Sequence, residues 1–309
     1  MHLIRIFTLA GAIGFNFIQY VDAQFARIPL KTYDRNIHIK IKVKNLDSLL
    51  FGFDTGCTVT FIDSLSALKA GMKMDDSKQK KVAGNTGART YRIAVKQQLD
   101  LGDGLILKKV NLLLENFANY KAFSGVDMKG IIGYDFLKSY VVKLDFVKQE
   151  MLVYQHIKEV DTIGYSNIPF EFHKGLNIPR IPVTIRTGKN EVFTGKVMFD
   201  SGAGTTLVIS APFRNFHRLG SKMKIIEEVK VSGVNAETTN ERAIIDGMIF
   251  NGFNFGKMVV NTTVDHKAEP KDGFLGLLGM EVIKRFDVIL DYQRKILYLK
   301  PNRDYNLPF

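Results

Sequence analysis

Two short stretches place a carboxylate in apolar, hydroxyl-rich company: FDTGCTVTFID (Phe53–Asp63) and FDSGAGTTLVIS (Phe199–Ser210). A buried charge is costly unless it is paired or gives up its charge. Asp200 follows Asp54 by 146 residues, and each can partner the other. Two adjacent carboxyls cannot both ionise cheaply, so they share a proton and titrate as a unit. A water held between them can lose a proton to one while the other donates to a carbonyl oxygen. Such an apparatus hydrolyses amides without a metal or a covalent intermediate. The competing reading makes Asp54 and Asp200 turn residues at the ends of two duplicated strands.

The elements that must position the pair also repeat. In the same 146-residue register, Thr55 meets Ser201, Gly56 meets Gly202, and Thr60 meets Thr206. GIIGYDFLKSY at Gly130 meets GLLGMEVIKRF at Gly276, so Gly133 meets Gly279. Leu144-Asp145-Phe146 meets Leu290-Asp291-Tyr292. Three motifs in one register mark a duplicated unit. Ile28-Pro29-Leu30 and Ile168-Pro169-Phe170 open the two halves, ahead of the alternating strands IHIKIKV (Ile37–Val43) and IPVTIR (Ile181–Arg186). Short helices are expected at Ser64–Met72, Ala211–Gly220, YDFLKSY and MEVIKRF, with Gly71 and Gly220 as stop signals. Hairpins are expected at Lys81–Arg92 and Val231–Arg242, rich in Gly, Asn and Thr. Within each loop, Gly after the hydroxyl residue lets the backbone turn and another segment approach. The hydroxyl of Thr55 or Ser201 can bond across to a neighbouring loop. Asp145 and Asp291, in strand settings before basic turns, read as structural.

With these motifs in hand, the chain resembles an aspartic peptidase of the pepsin and retropepsin clan over nearly its whole mature length. That family combines an Asp-Thr/Ser-Gly loop, a flap hairpin, and two apolar residues with Gly before a short helix. Ile131-Ile132-Gly133 and Leu277-Leu278-Gly279 fill the last element. The resemblance implies a mainly β, all-β fold with a few short helices. It implies a bilobal pepsin-like architecture, each lobe a retropepsin-like β-barrel unit. The lobes are expected at residues 24–160 and 161–309. The implied activity is that of an aspartic-type endopeptidase, with Asp54 and Asp200 catalytic. Thr55, Gly56, Ser201, Gly202, Gly133 and Gly279 support the loops. Gly84, Tyr91 and Gly233 are candidate substrate contacts in the flap hairpins. For Tyr91 a core or surface position is the competing reading. The rival function is a non-catalytic module that keeps the peptide cleft.

The chain departs from the pepsin pattern at one place. Pepsin-type enzymes carry Ser or Thr third after the catalytic Asp, whereas this chain has Cys57 and Ala203. The pair Ala203 and Thr206 is closer to retropepsin, which implies two such units fused in tandem. Without the outer hydroxyl each carboxyl should be less acidic, giving an activity optimum less acid than pepsin's. A profile peaking below about pH 3 would contradict that expectation.

Bulk properties bound the remaining choices. Arg5, the thirteen-residue apolar run Ile6–Ile18 and Val21-Asp22-Ala23 read as a signal peptide over residues 1–23, too short to span a bilayer. The expected product is exported, periplasmic or extracellular, with no stable membrane insertion, and fits a Gram-negative bacterium. One cysteine, Cys57, precludes an internal disulfide, which a chain of 309 residues does not need. Cys57 reads as packing rather than as a nucleophile, because no histidine forms a motif with it. The six histidines show no metal-ligand spacing, so neither metal nor cofactor is expected. A net charge of +12 spread along the chain, without interleaved aromatic motifs, does not point to nucleic acid. The expected partner is a peptide or protein substrate, met by a monomer.

Overall fold

The computed structural model describes residues 24–309 apart from positions 34, 85–86, 174, 189–190, 233–236 and 272. The expected signal peptide, residues 1–23, lies outside the described residues.

The chain is mainly β with short helices, as the alternating patterns require. The first half runs β1 (Ala26–Pro29), β2 (Lys31–Tyr33), β3 (Asn36–Val43), β4 (Leu46–Phe53) and β5 (Thr60–Asp63). After helix α1 (Ser64–Lys69) come β6 (Asp75–Gly84), β7 (Gly87–Asp100) and β8 (Ile106–Glu115). Helix α2 (Ala118–Ser124) leads to β9 (Gly130–Ile132), helix α3 (Tyr134–Leu137), β10 (Val141–Asp145) and β11 (Glu150–Tyr154). The second half opens with β12 (Ser166–Pro169), β13 (Glu171–His173), β14 (Leu176–Arg186), β15 (Val192–Phe199) and β16 (Leu207–Ile209). Helix α4 (Ala211–Phe216) precedes β17 (Lys224–Ser232), β18 (Glu237–Ile245), β19 (Gly247–Phe250), β20 (Phe253–Phe255) and β21 (Met258–Thr263). The chain closes with β22 (Phe274–Leu278), helix α5 (Met280–Ile283), β23 (Phe286–Asp291) and β24 (Ile296–Pro301).

Each half builds a sheet around its own Asp loop. In the first, β9 runs parallel to β4 and antiparallel to β5, so Phe53 is paired with Ile132 just before Asp54. In the second, β22 runs parallel to β15 and antiparallel to β16, pairing Phe199 with Leu278 just before Asp200. A third sheet of six strands, in the order β1-β11-β10-β23-β24-β12, is shared between the halves. At its centre Lys143 pairs with Ile289, the residue 146 positions on. A residue opposite its own repeat lies on the axis relating the halves. Buried side chains from both halves, including Phe53, Leu144, Phe199 and Val288, form one continuous core.

The loops explain where the repeat slips. Ile28 pairs with Met151 and Ile168 with Leu297, so the opening strands correspond at an offset of 140 rather than 146. Extra residues before Asp200 lengthen the connections without moving the strands. The two structural carboxylates in the shared sheet hold equivalent turns, with Asp145 accepting from Lys148 N at 2.8 Å and Asp291 from Arg294 N at 3.0 Å.

Helix α1 stops as its residues direct: Asp63 caps its N-terminus and Gly71 takes the left-handed φ of 60° just past its end. Gly220 is not the stop of α4. That helix ends at Phe216, and Arg218 takes the left-handed turn at φ 54°. Gly220 instead lies in the 3-10 turn Leu219–Ser221, against the Arg214 guanidinium.

Candidate active site

Asp54 and Asp200 end β4 and β15, and their backbone N–H groups donate to Ile132 O and Leu278 O, both at 2.9 Å. The strand before each carboxylate is thereby fixed by the apolar-apolar-Gly strand beside it. The two loops then meet through their hydroxyl residues. Thr55 N donates to Ser201 Oγ at 3.0 Å, and Ser201 N donates to Thr55 Oγ1 at 2.9 Å. Thr55 Oγ1 donates onward to Phe199 O at 2.7 Å, and Ser201 Oγ to Phe53 O at 3.1 Å. Both side chains are buried, so these four bonds exchange no partner with water. They bind each loop to the strand carrying the other carboxylate.

The clasp brings the carboxyl groups of Asp54 and Asp200 within hydrogen-bonding reach of each other. Gly56 N donates to Asp54 Oδ1 at 2.7 Å, and Gly202 N to Asp200 Oδ1 at 2.9 Å. The need for glycine here is close approach rather than a left-handed turn, because neither residue has a positive φ. A Cβ on Gly56 would meet the Asp200 carboxylate at 2.6–2.8 Å, and one on Gly202 would meet that of Asp54 at 2.5–2.7 Å. Gly133 and Gly279 lie behind the loops. A side chain there would strike the carbonyls of Asp54 and Cys57, or of Thr205 and Ala203.

Burial first, and the charge of Asp200 second, push Asp54 well above the ordinary carboxylate range. Burial also raises Asp200, while N–H donors from Gly202 and Ala203 and the Asp54 carboxyl hold it back. The proton belongs to the pair. The environment thus favours one proton held between the two carboxyls, with N–H donors to support the charge that remains.

Cys57 does not reach the carboxylates. Its thiol donates to Val59 O at 2.8 Å, and burial followed by the Asp54 charge pushes its pKa well up. A protonated thiol pointed away from the pair is no nucleophile. It packs with Phe117, Met128 and Ile131.

The hairpin residues fall differently. Tyr91 is 6% exposed, its ring 5.2 Å from Phe61 in an edge contact, and it clusters with Val59 and Leu113. Gly84 pairs with Gly87 at the tip of the β6–β7 hairpin. Gly233 lies outside the described residues.

Two further residues at the site lie inside the repeated motifs, which gave them no role. Asp135 on α3 accepts from Thr60 N at 3.1 Å and Thr60 Oγ1 at 3.0 Å, tying that helix to the strand after the Asp54 loop. Tyr292, 4% exposed, reaches Thr55 O with its hydroxyl at 3.5 Å and packs on Tyr134, Phe170 and Phe172. Burial, then the charges of Asp54 and Asp200, raise its pKa well above normal. Its repeat partner is Phe146, so a hydroxyl present in one copy only was the signal available in the sequence.

No group of three or more His, Cys, Asp or Glu side chains is disposed to hold a metal among the described residues. Comparison with protein-family models and with curated proteins yields no match.

Proposed function

We propose that the protein is an aspartic-type endopeptidase of pepsin-like, two-lobed architecture, each half acting as a retropepsin-like unit. One observation carries the reading: two carboxyls from equivalent positions of a duplicated chain meet, within a reciprocal clasp of Thr55 and Ser201. A purely structural turn residue gains nothing from a second carboxyl at bonding distance, since the pair costs repulsion and desolvation.

In this reading the ionised member of the pair takes a proton from water as that water attacks the scissile carbonyl carbon. The protonated member donates to the carbonyl oxygen, giving a neutral gem-diol. The carboxyl that took the water's proton then gives it to the amide nitrogen while the other carboxylate takes a proton from a gem-diol hydroxyl. The C–N bond breaks, acid and amine leave, and the pair again holds one proton. The raised pKa of Asp54 suits the proton donor, and the N–H donors around Asp200 suit the base. A substrate would lie extended and pair its backbone with hairpin edges. The active unit would be a monomer, exported after loss of residues 1–23 to a periplasmic or extracellular site.

The test is Asp54→Asn and Asp200→Asn, made separately and assayed by mass spectrometry on a mixed peptide library. Each should lower cleavage by at least about 10²–10⁴-fold, with far-UV circular dichroism unchanged. Wild-type cleavage by both variants would overturn the assignment. Peptide binding by the wild type without any cleavage would replace it with the non-catalytic module.

A further inference from the structure

The turn between β23 and β24 delivers one side chain of the second half to the Asp54 loop of the first. Tyr292 opens that turn, directly after Asp291, whose carboxylate accepts from Arg294 N at 3.0 Å and fixes the turn. Its ring is walled by Tyr134, which opens α3, and by Phe170 and Phe172 ahead of β14, with centroids 6.1, 5.4 and 5.7 Å away. A buried tyrosine hydroxyl needs a hydrogen-bond partner, and this one donates to Thr55 O at 3.5 Å.

The peptide unit that accepts this bond makes a second one. Its carbonyl is Thr55 O, and its N–H is that of Gly56, which donates to Asp54 Oδ1 at 2.7 Å. Hydroxyl, peptide and carboxylate thus form a chain in which each bond polarises the next. A donor on the carbonyl makes the N–H a stronger donor to the carboxylate. The Tyr292 contact is long for an O–H···O bond, so the gain at Asp54 is a fraction of one hydrogen bond. The second loop has no counterpart. Gly202 N donates to Asp200 Oδ1 at 2.9 Å, but the residue equivalent to Tyr292 is Phe146, which has no hydroxyl.

We propose that Tyr292 is a positioning residue for the carboxyl pair, acting through the Thr55–Gly56 peptide to support the charge that Asp54 acquires as it donates its proton. The inference rests on the endopeptidase reading above and adds an asymmetry to it. Transfer of the proton from Asp54 to the scissile carbonyl oxygen leaves a carboxylate at Asp54, and the polarised Gly56 N–H is already aimed at it. Around this chain, Asp54 faces Asp200 and the Cys57 thiol, with the Asp135 charge acting on that thiol. Tyr292 faces Tyr134, and Lys138 and Lys295 lie over the rings of Tyr134 and Phe172. Burial, then the charges of Asp54 and Asp200, keep the phenol protonated, so it remains a donor.

The experiment is Tyr292→Phe, which removes one oxygen and keeps the ring. Protein isotope-labelled at the aspartate carboxyl carbons is titrated by NMR, the two resonances being identified by their loss in Asp54→Asn and Asp200→Asn. In the variant the second ionisation of the pair should rise by about 0.2–0.6 of a pH unit. The basic limb of the kcat/KM profile should rise with it, and kcat should fall about twofold to fourfold with KM unchanged. A tyrosine that only packs would change the melting temperature and leave both pH readings in place. An unmoved or lowered titration therefore overturns the proposal and leaves the endopeptidase reading standing. If the wild type cleaves no peptide, the endopeptidase reading falls, and the titration still decides the chain of bonds: a rise supports it and no rise overturns it. A further measurement needs no variant. In the wild type the Tyr292 hydroxyl proton should exchange slowly enough to give its own NMR resonance. Free exchange of that proton overturns the donation to Thr55 O even if Tyr292→Phe does not fold.

Discussion

At the Asp54–Asp200 pair, burial and mutual repulsion act in the same direction on the first carboxyl. A carboxyl whose pKa is raised by folding holds its proton more tightly in the native state than in the unfolded chain. Its stabilising contribution is complete below the unfolded carboxyl value and is lost as pH rises through the raised native value. Wild-type stability should therefore decline over the pH range above about 4, and Asp54→Asn should remove part of that decline. Thermal melts of both proteins across mildly acid to neutral pH measure it, with about 2–4 °C expected per kcal/mol. A gap between the two melting curves that does not change with pH would show that the pair is not strained. The missing outer hydroxyls make a second residue-scale prediction. Cys57 turns its thiol to Val59 O, and the Ala203 side chain has nothing to donate. Ala203→Ser places a donor three residues after Asp200. It should favour that carboxylate's charge and move the acid limb of the kcat/KM profile to lower pH. An unmoved limb would mean that the backbone N–H groups of Gly202 and Ala203 already saturate Asp200.

Among the elements, the clasp decides how firmly the loops are held. Thr55 and Ser201 each bond the other's backbone and the strand behind it, so removing either hydroxyl orphans one N–H and one carbonyl in the opposite half. Thr55→Ala and Ser201→Ala should each cost about 1–3 kcal/mol. Because each loses the same shared network, the double variant should cost less than their sum, by about 0.5–3 kcal/mol. Urea unfolding of the four proteins gives the cycle, and additive costs would show that the loops are held independently. The repeat made this level readable from sequence. One offset predicted which carboxylates, hydroxyls and glycines correspond, and the strands and short helices fall on the segments that carry them. Three things were not readable. The glycine after each hydroxyl was read as allowing close approach, but the group that approaches, the opposite carboxylate 146 residues away, is encoded in no local pattern. The end of α4 is set by Arg218 in a left-handed conformation, which the glycine-based rule passes over. Tyr292 was visible only as a Phe-to-Tyr difference between copies, and its hydroxyl gains meaning once β23 is seen to bring it under Thr55.

For the whole molecule, the question is whether a duplicated chain behaves as two bodies or one. Two connections oppose independence: the loop clasp and the central β10–β23 pairing, where Val142, Lys143 and Leu144 meet Leu290, Ile289 and Val288. The flanking strands β1 and β12 extend the same sheet on either side, and the core runs through without a break. Leu144 is fully buried at this junction. Leu144→Ala should cost about 2–5 kcal/mol through lost burial and the cavity left behind. If the halves are one cooperative unit, that loss is felt equally on both sides of the axis. Native-state amide exchange reads each side separately, with β4 reporting the first half and β15 the second. Both strands should open with the same free energy in the wild type, and both should lose the same amount in the variant. A loss confined to β4, with β15 unchanged, would mean that the halves unfold separately. The carboxylates would then be held together by the loop clasp alone, and Thr55→Ala would separate them more readily than any change in the shared sheet.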